Sequence, residues 1–167
     1  CSTYGVGNII IEDDSDTILA TTNCTNGTWS ANLDFSVGYP DGTITLEVLH
    51  TDARGTIHSA VRALEKLTVA PNIAITSPAI SAYINDTNRS AFTVSGSCDV
   101  ASGTVSITGG TTTINTICNG ATWSANLSFA DNTNATPNIT ATLTDVANNQ
   151  ASSSRTFTLD TVNPTIA

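Results

Sequence analysis

Two stretches of the chain repeat each other and decide the fold. Residues 24–36 read CTNGTWSANLDFS and residues 118–130 read CNGATWSANLSFA, with eight of the thirteen aligned positions identical. With one gap the correspondence continues to the end of the chain, where Arg62 aligns with Arg155 and TVAPNIA at 68–74 aligns with TVNPTIA at 161–167. Self-similarity at a fixed spacing indicates tandem copies of one structural unit. The chain therefore contains two copies of a unit about 93 to 97 residues long.

The second copy has the residue pattern of an all-β sandwich. In TWSANLSF at 122–129, every second residue from Trp123 to Phe129 is apolar and the residues between them are polar, which is the period of a half-buried strand. Such segments alternate with turn-forming residues such as Asn119–Gly120, as they do in sandwiches. The predicted strands are 72–76, 91–98, 103–108, 111–117, 122–129, 138–144 and 152–159.

The repeat also predicts the domain boundaries. Residues 71–163 form a complete immunoglobulin-like repeat, residues 1–70 form a repeat that lacks its first two strands, and residues 164–167 begin the next copy. A domain of this incomplete kind would expose an unpaired sheet edge and half of its core. Either the ends are cuts through a continuing array, or a neighbouring copy supplies the missing strand by donor-strand assembly. The predicted fold class is all-β, with tandem immunoglobulin-like β-sandwich domains of which the first is incomplete.

Trp29 and Trp123 are predicted to be the aromatic anchors of the two cores. Trp123 shares its strand face with the apolar residues Ala125 and Leu127. A single large aromatic side chain supplies much of the apolar area of a core that contains few aromatics. A tryptophan that stacks on sugar rings would stand on the polar face, so the register favours a core position.

The four cysteines form two equivalent pairs, Cys1 with Cys24 and Cys98 with Cys118. Four cysteines allow three pairings, and the repeat selects the one in which each unit closes its own disulfide. A loop of about 20 residues closed in this way stabilises a fold by roughly 3 kcal/mol on chain-entropy grounds. Disulfides predict an oxidising compartment, outside the cell or in a periplasm.

The charge balance excludes two classes of partner. The chain carries five Lys and Arg against fourteen Asp and Glu, a formal net charge of −9. Binding to nucleic acid and docking on anionic lipid both need a basic surface, and no apolar run approaches the roughly 18 residues of a membrane span. We therefore expect no nucleic-acid partner and no direct membrane insertion. The expected partners are neighbouring repeats of the same chain and other copies in a filament.

The TWSANL strand, the Asp145–Asn149 corner and the TLDTVNPTIA junction resemble bacterial immunoglobulin-like (Big-type) repeat domains. Such domains occur as arrays in large cell-surface adhesins, where they commonly act as stalks, and some bind calcium at domain junctions. The resemblance covers essentially the whole chain and implies Asp145 and Asp160 as calcium candidates, with no other cofactor required. In the first copy Asp52 is present, but Leu67 stands where the junction Asp would be.

A second group of candidate ligands is the acidic run that contains Asp13, Asp14 and Asp16. It lies in a loop where the first copy carries extra residues. Calcium takes six to eight oxygen ligands, and clustered carboxylates supply several of them. These three residues are therefore candidate metal ligands, and the alternative is a solvated hairpin tip.

His50 and His58 are the only histidines, and no nucleophile motif such as GxSxG accompanies them. We predict no catalytic residue and no enzymatic activity. The predicted function is a structural spacer or stalk segment of an extracellular repeat protein, either a cell-surface adhesin or a filament. The alternatives are an adhesive glycan- or protein-binding module and a filament subunit assembled by donor-strand exchange.

Overall fold

The structure, a computed structural model, describes residues 1, 7–110, 112–132 and 135–166. Over this part of the chain the regular secondary structure is entirely β-strand. The chain divides into two compact units, Cys1–Thr68 and Val69–Ala167; the boundary predicted from the sequence lies between residues 70 and 71. Among the described residues, no helix is long and apolar enough to cross a membrane.

The described residues form four strands in the first unit and nine in the second. The strands of the first unit are β1 (Asn8–Asp13), β2 (Ile18–Asn23), β3 (Gly42–Thr51) and β4 (Ile57–Lys66). Those of the second unit are β5 (Ile73–Ser77), β6 (Tyr83–Ile84), β7 (Phe92–Cys98), β8 (Thr104–Gly109), β9 (Thr112–Ile117), β10 (Thr122–Leu127), β11 (Asn138–Thr144), β12 (Gln150–Thr156) and β13 (Thr158–Leu159).

The second unit is a β-sandwich. One sheet has the strand order β10-β7-β5 and the other β12-β11-β8-β9, and all neighbours in both sheets are antiparallel. A short parallel pair joins β6 to β13. The core contains buried residues from both sheets and from the segments that flank them: Ile75, Ile84, Phe92, Val94, Cys98, Val105, Ile107, Cys118, Trp123, Ala125, Leu127, Phe129, Ile139, Ala141, Leu143 and Phe157.

The alternation in TWSANLSF places Trp123 in this core, as its register indicates. Its side chain is 3% exposed, and Leu127 is fully buried, whereas Ser124 and Asn126 face solvent. The indole Nε1 donates a hydrogen bond to the carbonyl of Ser97 at 3.3 Å. The polar group of the tryptophan is thus paired while its rings supply the large apolar area that the unit needs.

Most predicted strands of the second unit agree with the structure to within two residues. The predicted strand 152–159 is in fact two strands, because β12 ends at Thr156 and β13 pairs with β6 instead. Phe157 separates them, since it is buried and its N–H donates to the carbonyl of Pro137 at 3.0 Å. Strand β6 was not predicted, because its two residues are too few to give a periodic pattern. Thr111, in another predicted strand, lies outside the described residues.

The first unit has one sheet over its described residues, with the strand order β2-β1-β3-β4, all antiparallel. Its buried cluster is small and consists of Ile9, Ile11 and Cys24, with Ala20, Ala31, Leu33 and Val48 partly buried against it. Residues 29–33, which align with residues 123–127 of β10, form no strand. The two disulfides predicted from the repeat, Cys1–Cys24 and Cys98–Cys118, are both formed, each with Cα atoms 6.0 Å apart.

Trp29 is 40% exposed, so the prediction that it anchors a core is wrong. In the second unit β10 pairs with β7, and Gly96 of β7 lies opposite Trp123. A Cβ atom added to Gly96 would stand 2.8 Å from the indole, so the strand backbone packs directly on the ring. Among the described residues of the first unit, no strand pairs with 29–35, and Trp29 lacks this cover.

Candidate functional site

Three aspartates, Asp13, Asp52 and Asp145, close strand-to-strand turns in the same way. In each turn the Asp N–H donates to the carbonyl four residues on, and the Asp Oδ1 accepts from the N–H groups two and four residues on. All nine distances lie between 2.8 and 3.1 Å. Aspartate often satisfies turn N–H groups in this manner. These carboxylates therefore have a structural role that residue type alone does not distinguish from metal ligation.

Asp145 is the most enclosed of the three, with 7% of its surface exposed. Its Oδ2 accepts a further hydrogen bond from the side-chain amide of Asn149 at 2.9 Å. Burial alone would raise the pKa of Asp145, but the hydrogen bonds from Asn149 and Ala147 outweigh it and hold the pKa below its usual value. Both carboxylate oxygens thus already accept hydrogen bonds from the corner itself.

The acidic run of the first unit forms the β1–β2 hairpin tip. Asp13 is buried, and its Oδ2 accepts a hydrogen bond from the hydroxyl of Tyr39 at 2.7 Å. That bond, followed by those from Thr17 and Ser15, lowers the pKa of Asp13, and it raises the pKa of Tyr39. Asp14 and Asp16 are exposed to solvent. Only one of the three candidate metal ligands therefore points into the fold.

Asp145 and Asp160 do not share one ion within the second unit. Asp145 lies in the turn between β11 and β12, whereas Asp160 follows β13 beyond the opposite ends of these strands. At the usual rise per strand residue, seven-residue strands separate the two by more than about 20 Å. Asp160 donates its N–H to Ile84 and accepts from the N–H of Val162. Over the described part of the chain no group of three His, Cys, Asp or Glu residues could hold a metal, and calcium binding stays a prediction.

His50 and His58 lie directly opposite each other on β3 and β4. Their ring centroids are 6.4 Å apart and the rings are close to parallel, and His58 Nε2 lies 3.8 Å from a carboxylate oxygen of Asp52. The sequence did not predict this pairing, because the two residues come together only through the register of the hairpin. All four cysteines are in disulfides, so none is available as a nucleophile beside them.

The inner face of the first unit's sheet is an open groove of about 940 Å³. Its lining is mostly apolar and comes from Cys1, the Trp29 segment, strands β1, β3 and β4, and the β3–β4 turn with Asp52 and Arg54. Trp29, Ala60 and Arg62 are among the lining residues, and the floor includes Ile9, Ile11, Leu46 and Val48. We call this surface the open groove.

Arg155 makes a structural contact in the second unit that sequence reasoning did not predict. Its guanidinium donates to the carbonyl of Ile75 at 2.5 Å and to that of Pro78. Ser153, two residues earlier on the same strand, accepts from the N–H of Ile75 at 3.2 Å. Side chains of β12 thereby bind backbone groups in and just after β5, the first strand of the sandwich. The alignment of Arg155 with Arg62 was the only signal in the sequence that could have identified it.

No family model matches the chain, and no curated protein is similar to it. Among solved structures, it is similar to a tetra-tandem repeat in the extending region of a large adhesion protein, with a TM-score of 0.50 and 19% identity over 95% of this chain and 42% of that one. It is similar to fibronectin(III)-like modules of Clostridium thermocellum CbhA, with a TM-score of 0.55 and 12% identity over 95% and 82% of the two chains.

A third similar structure is a Ca²⁺-stabilised adhesin that helps an Antarctic bacterium bind ice, with a TM-score of 0.50 and 16% identity over 93% of this chain and 40% of that one. The chain thus spans less than half the length of the two adhesin structures. Identities this low show the fold. The chain is all-β, and its second unit is an antiparallel β-sandwich with the immunoglobulin-like fold of these modules and repeats.

Proposed function

We propose that this chain is a structural spacer segment of an extracellular repeat protein, a cell-surface adhesin with Big-type immunoglobulin-like repeats. The observation that carries the proposal is that the same disulfide and the same aspartate-closed turn recur in both units. Each unit closes its own disulfide with Cα atoms 6.0 Å apart, and each closes the same turn with an aspartate, Asp52 or Asp145. A frame repeated along one chain is the property that an extended array needs.

The surface of the second unit supports this assignment. Strands β9 and β12 present mainly Thr, Ser and Asn to solvent, and charged residues make up 11% of the chain. Disulfides persist in oxidising compartments, which agrees with a location outside the cell. The proposal contains no catalytic step and no resident cofactor.

Mechanical unfolding tests the spacer role. The disulfide joins Cys98 to Cys118 across a sequence separation of 20 residues and prevents that segment from extending under force. A fully extended segment of this length has a contour of about 65 Å. When the chain is pulled from its ends, we expect a discrete unfolding event of the second unit, and its contour gain should increase by about 65 Å after reduction. Gradual extension without a discrete event would contradict the spacer role.

Binding assays separate the spacer from an adhesive module. A spacer should show no saturable binding to arrays of glycans and extracellular proteins. The adhesive alternative rests on the exposed tip residues Asp14 and Asp16 of the first unit. It would be supported by saturable binding that the Asp14→Asn, Asp16→Asn double variant abolishes and that Asp131→Asn, an exposed acid of the other unit, leaves intact.

A further inference from the structure

The first strand of the second unit, β5, runs beside β12 in the same direction. Ser153 of β12 accepts the N–H of Ile75, and Arg155, two residues later, donates to the carbonyls of Ile75 and Pro78. Residue numbers along the two strands therefore increase together. Strands β5 and β12 belong to different sheets, and these side chains connect them where they lie side by side.

The next segment of the chain repeats this parallel arrangement. Strand β6 pairs with β13 in parallel, with Tyr83 opposite Thr158 and Ile84 opposite Leu159. The N–H of Asp160 then donates to the carbonyl of Ile84 at 2.8 Å. The segment that opens the second unit thus runs alongside the segment that closes it, first as β5 beside β12 and then as β6 beside β13.

Tension between the ends of the chain loads these parallel pairs in shear. The chain enters β5 at Ile73 and leaves β13 after Leu159. Because the paired strands are parallel, the start of β5 and the end of β13 lie at opposite ends of the unit. Pulling on both slides the two segments past each other along their length. Contacts between sliding strands must break together, whereas strands pulled apart from one end release their contacts one at a time.

The bonds that connect β12 to β5 run between side chains and backbone. Strand β5 is the edge of its sheet and has a backbone ladder with β7. On the side that faces β12, the N–H of Ile75 donates to Ser153 Oγ at 3.2 Å and its carbonyl accepts from Arg155 at 2.5 Å. A planar guanidinium can bind two acceptors at once, and its charge strengthens each hydrogen bond. Arg155 uses this property to bind Pro78 as well.

We propose that Arg155, together with Ser153, forms the mechanical clamp of the second unit, a contact that must break before tension between the chain ends can unfold the unit. The inference rests on the proposed spacer function, because a spacer has to resist tension. Arg155 is a positioning residue in this role, since it holds β5 by its carbonyls. The clamp therefore depends on Arg155 and hardly on the side chains of β5.

Unfolding of the full chain at constant force, with handles at its two ends, measures the clamp. Unfolding events of the second unit are those whose contour gain rises by about 65 Å in the double variant Cys98→Ser, Cys118→Ser. We expect Arg155→Ala to speed these events on the order of tenfold at a fixed force, because hydrogen bonds to a charged donor are lost before the barrier is crossed. Ser154→Ala, on the exposed face of the same strand, should change the rate by no more than about twofold.

The direction of pulling separates a clamp from an ordinary stabilising contact. Val146 is 91% exposed in the turn that leads into β12, so a handle attached through Val146→Cys holds β12 at its start. With the other handle at the N-terminus of the chain, β5 and β12 are pulled from the same end and release their contacts one at a time. We expect faster unfolding at the same force in this direction, and Arg155→Ala should change that rate by no more than about twofold.

The outcomes distinguish the clamp from the spacer function. An effect of Arg155→Ala that is equal in the two directions, or an unchanged chain that unfolds equally fast in both, overturns the clamp and leaves the spacer function intact. The absence of any discrete event in end-to-end pulling counts against the spacer function itself. If Arg155→Ala does not fold, Arg155→Lys takes its place, because lysine keeps the charge without the planar pair of donors. It must speed unfolding in the end-to-end direction alone, and an equal effect in both directions overturns the proposal.

Discussion

Replacing Trp123 with alanine should destabilise the second unit by about 4 to 5 kcal/mol, at the upper end of the usual range for removal of a buried tryptophan. The side chain is 3% exposed. Almost all of its apolar surface is therefore buried, and its removal leaves a cavity in the core. The backbone of Gly96 lies directly against the ring. Because a strand backbone paired on both edges cannot move into the space, the cavity should collapse little, and the penalty for a cavity rises with its residual volume.

A hydrogen bond adds to this value. Trp123 Nε1 donates to the carbonyl of Ser97 at 3.3 Å, and losing a neutral hydrogen bond typically removes about 1 kcal/mol. For Trp29→Ala we expect a smaller destabilisation of about 2 kcal/mol, since 40% of that side chain is already in solvent and an open groove leaves no closed cavity.

Urea-dependent hydrogen exchange measured by mass spectrometry provides the assay, because peptides from strands β7 and β10 report on the second unit alone. Ser124→Ala is the matched control, since it lies on the solvent-facing side of the same strand and should change stability by no more than about 0.5 kcal/mol. A loss below about 1 kcal/mol for Trp123→Ala, or a loss equal to that of Trp29→Ala, would refute the core-anchor reasoning.

Three other perturbations test separate features. The double variant Cys98→Ser, Cys118→Ser should lower the stability of the second unit by about 3 kcal/mol for a separation of 20 residues; urea unfolding measures this, and an unchanged midpoint would contradict it. The folded-state pKa of Asp145 is below its unfolded value, so its contribution is present above about pH 4 and is lost as the pH falls further. Urea midpoints between about pH 5 and 3 should therefore fall more for the wild type than for Asp145→Asn, and parallel curves would argue against it. Calcium binding at Asp145 or Asp160 predicts that the thermal midpoint of the second unit rises with calcium concentration and falls when a chelator removes the ion; a midpoint that the chelator leaves unchanged would contradict it.

The strands of the second unit were predictable from the sequence because their apolar and polar residues alternate regularly. Apolar residues alternate with Ser and Asn from Trp123 to Phe129, and a slip of one residue would reverse every side chain. The cysteine pairing was predictable for another reason: the repeat reduced three connectivities to one. These features depend on local pattern or on internal symmetry, and both are visible in a single chain.

The roles of the aspartates were not predictable from residue type. Asp13 and Asp145 were candidates for metal ligands, and in the structure both accept N–H groups of their own turns. A carboxylate that follows a strand suits either role, since it accepts hydrogen bonds and binds hard cations with the same oxygens. Residue type alone does not reveal that the path of these turns brings the N–H groups two and four residues on within hydrogen-bond distance of the carboxylate.

The fate of TWSANL shows where local pattern stops being informative. The same six residues form β10 around Trp123, yet they form no strand from Trp29 onward. Propensity and alternation are identical in the two copies, so the difference must come from a partner that is distant in sequence, namely the strand that pairs with this segment. The burial of Trp29 therefore depends on whether a partner strand is present, and not on the residues around it in the sequence. Arg62 is a parallel case, because it aligns with Arg155, which holds a strand backbone in the second unit, yet it is exposed in the first.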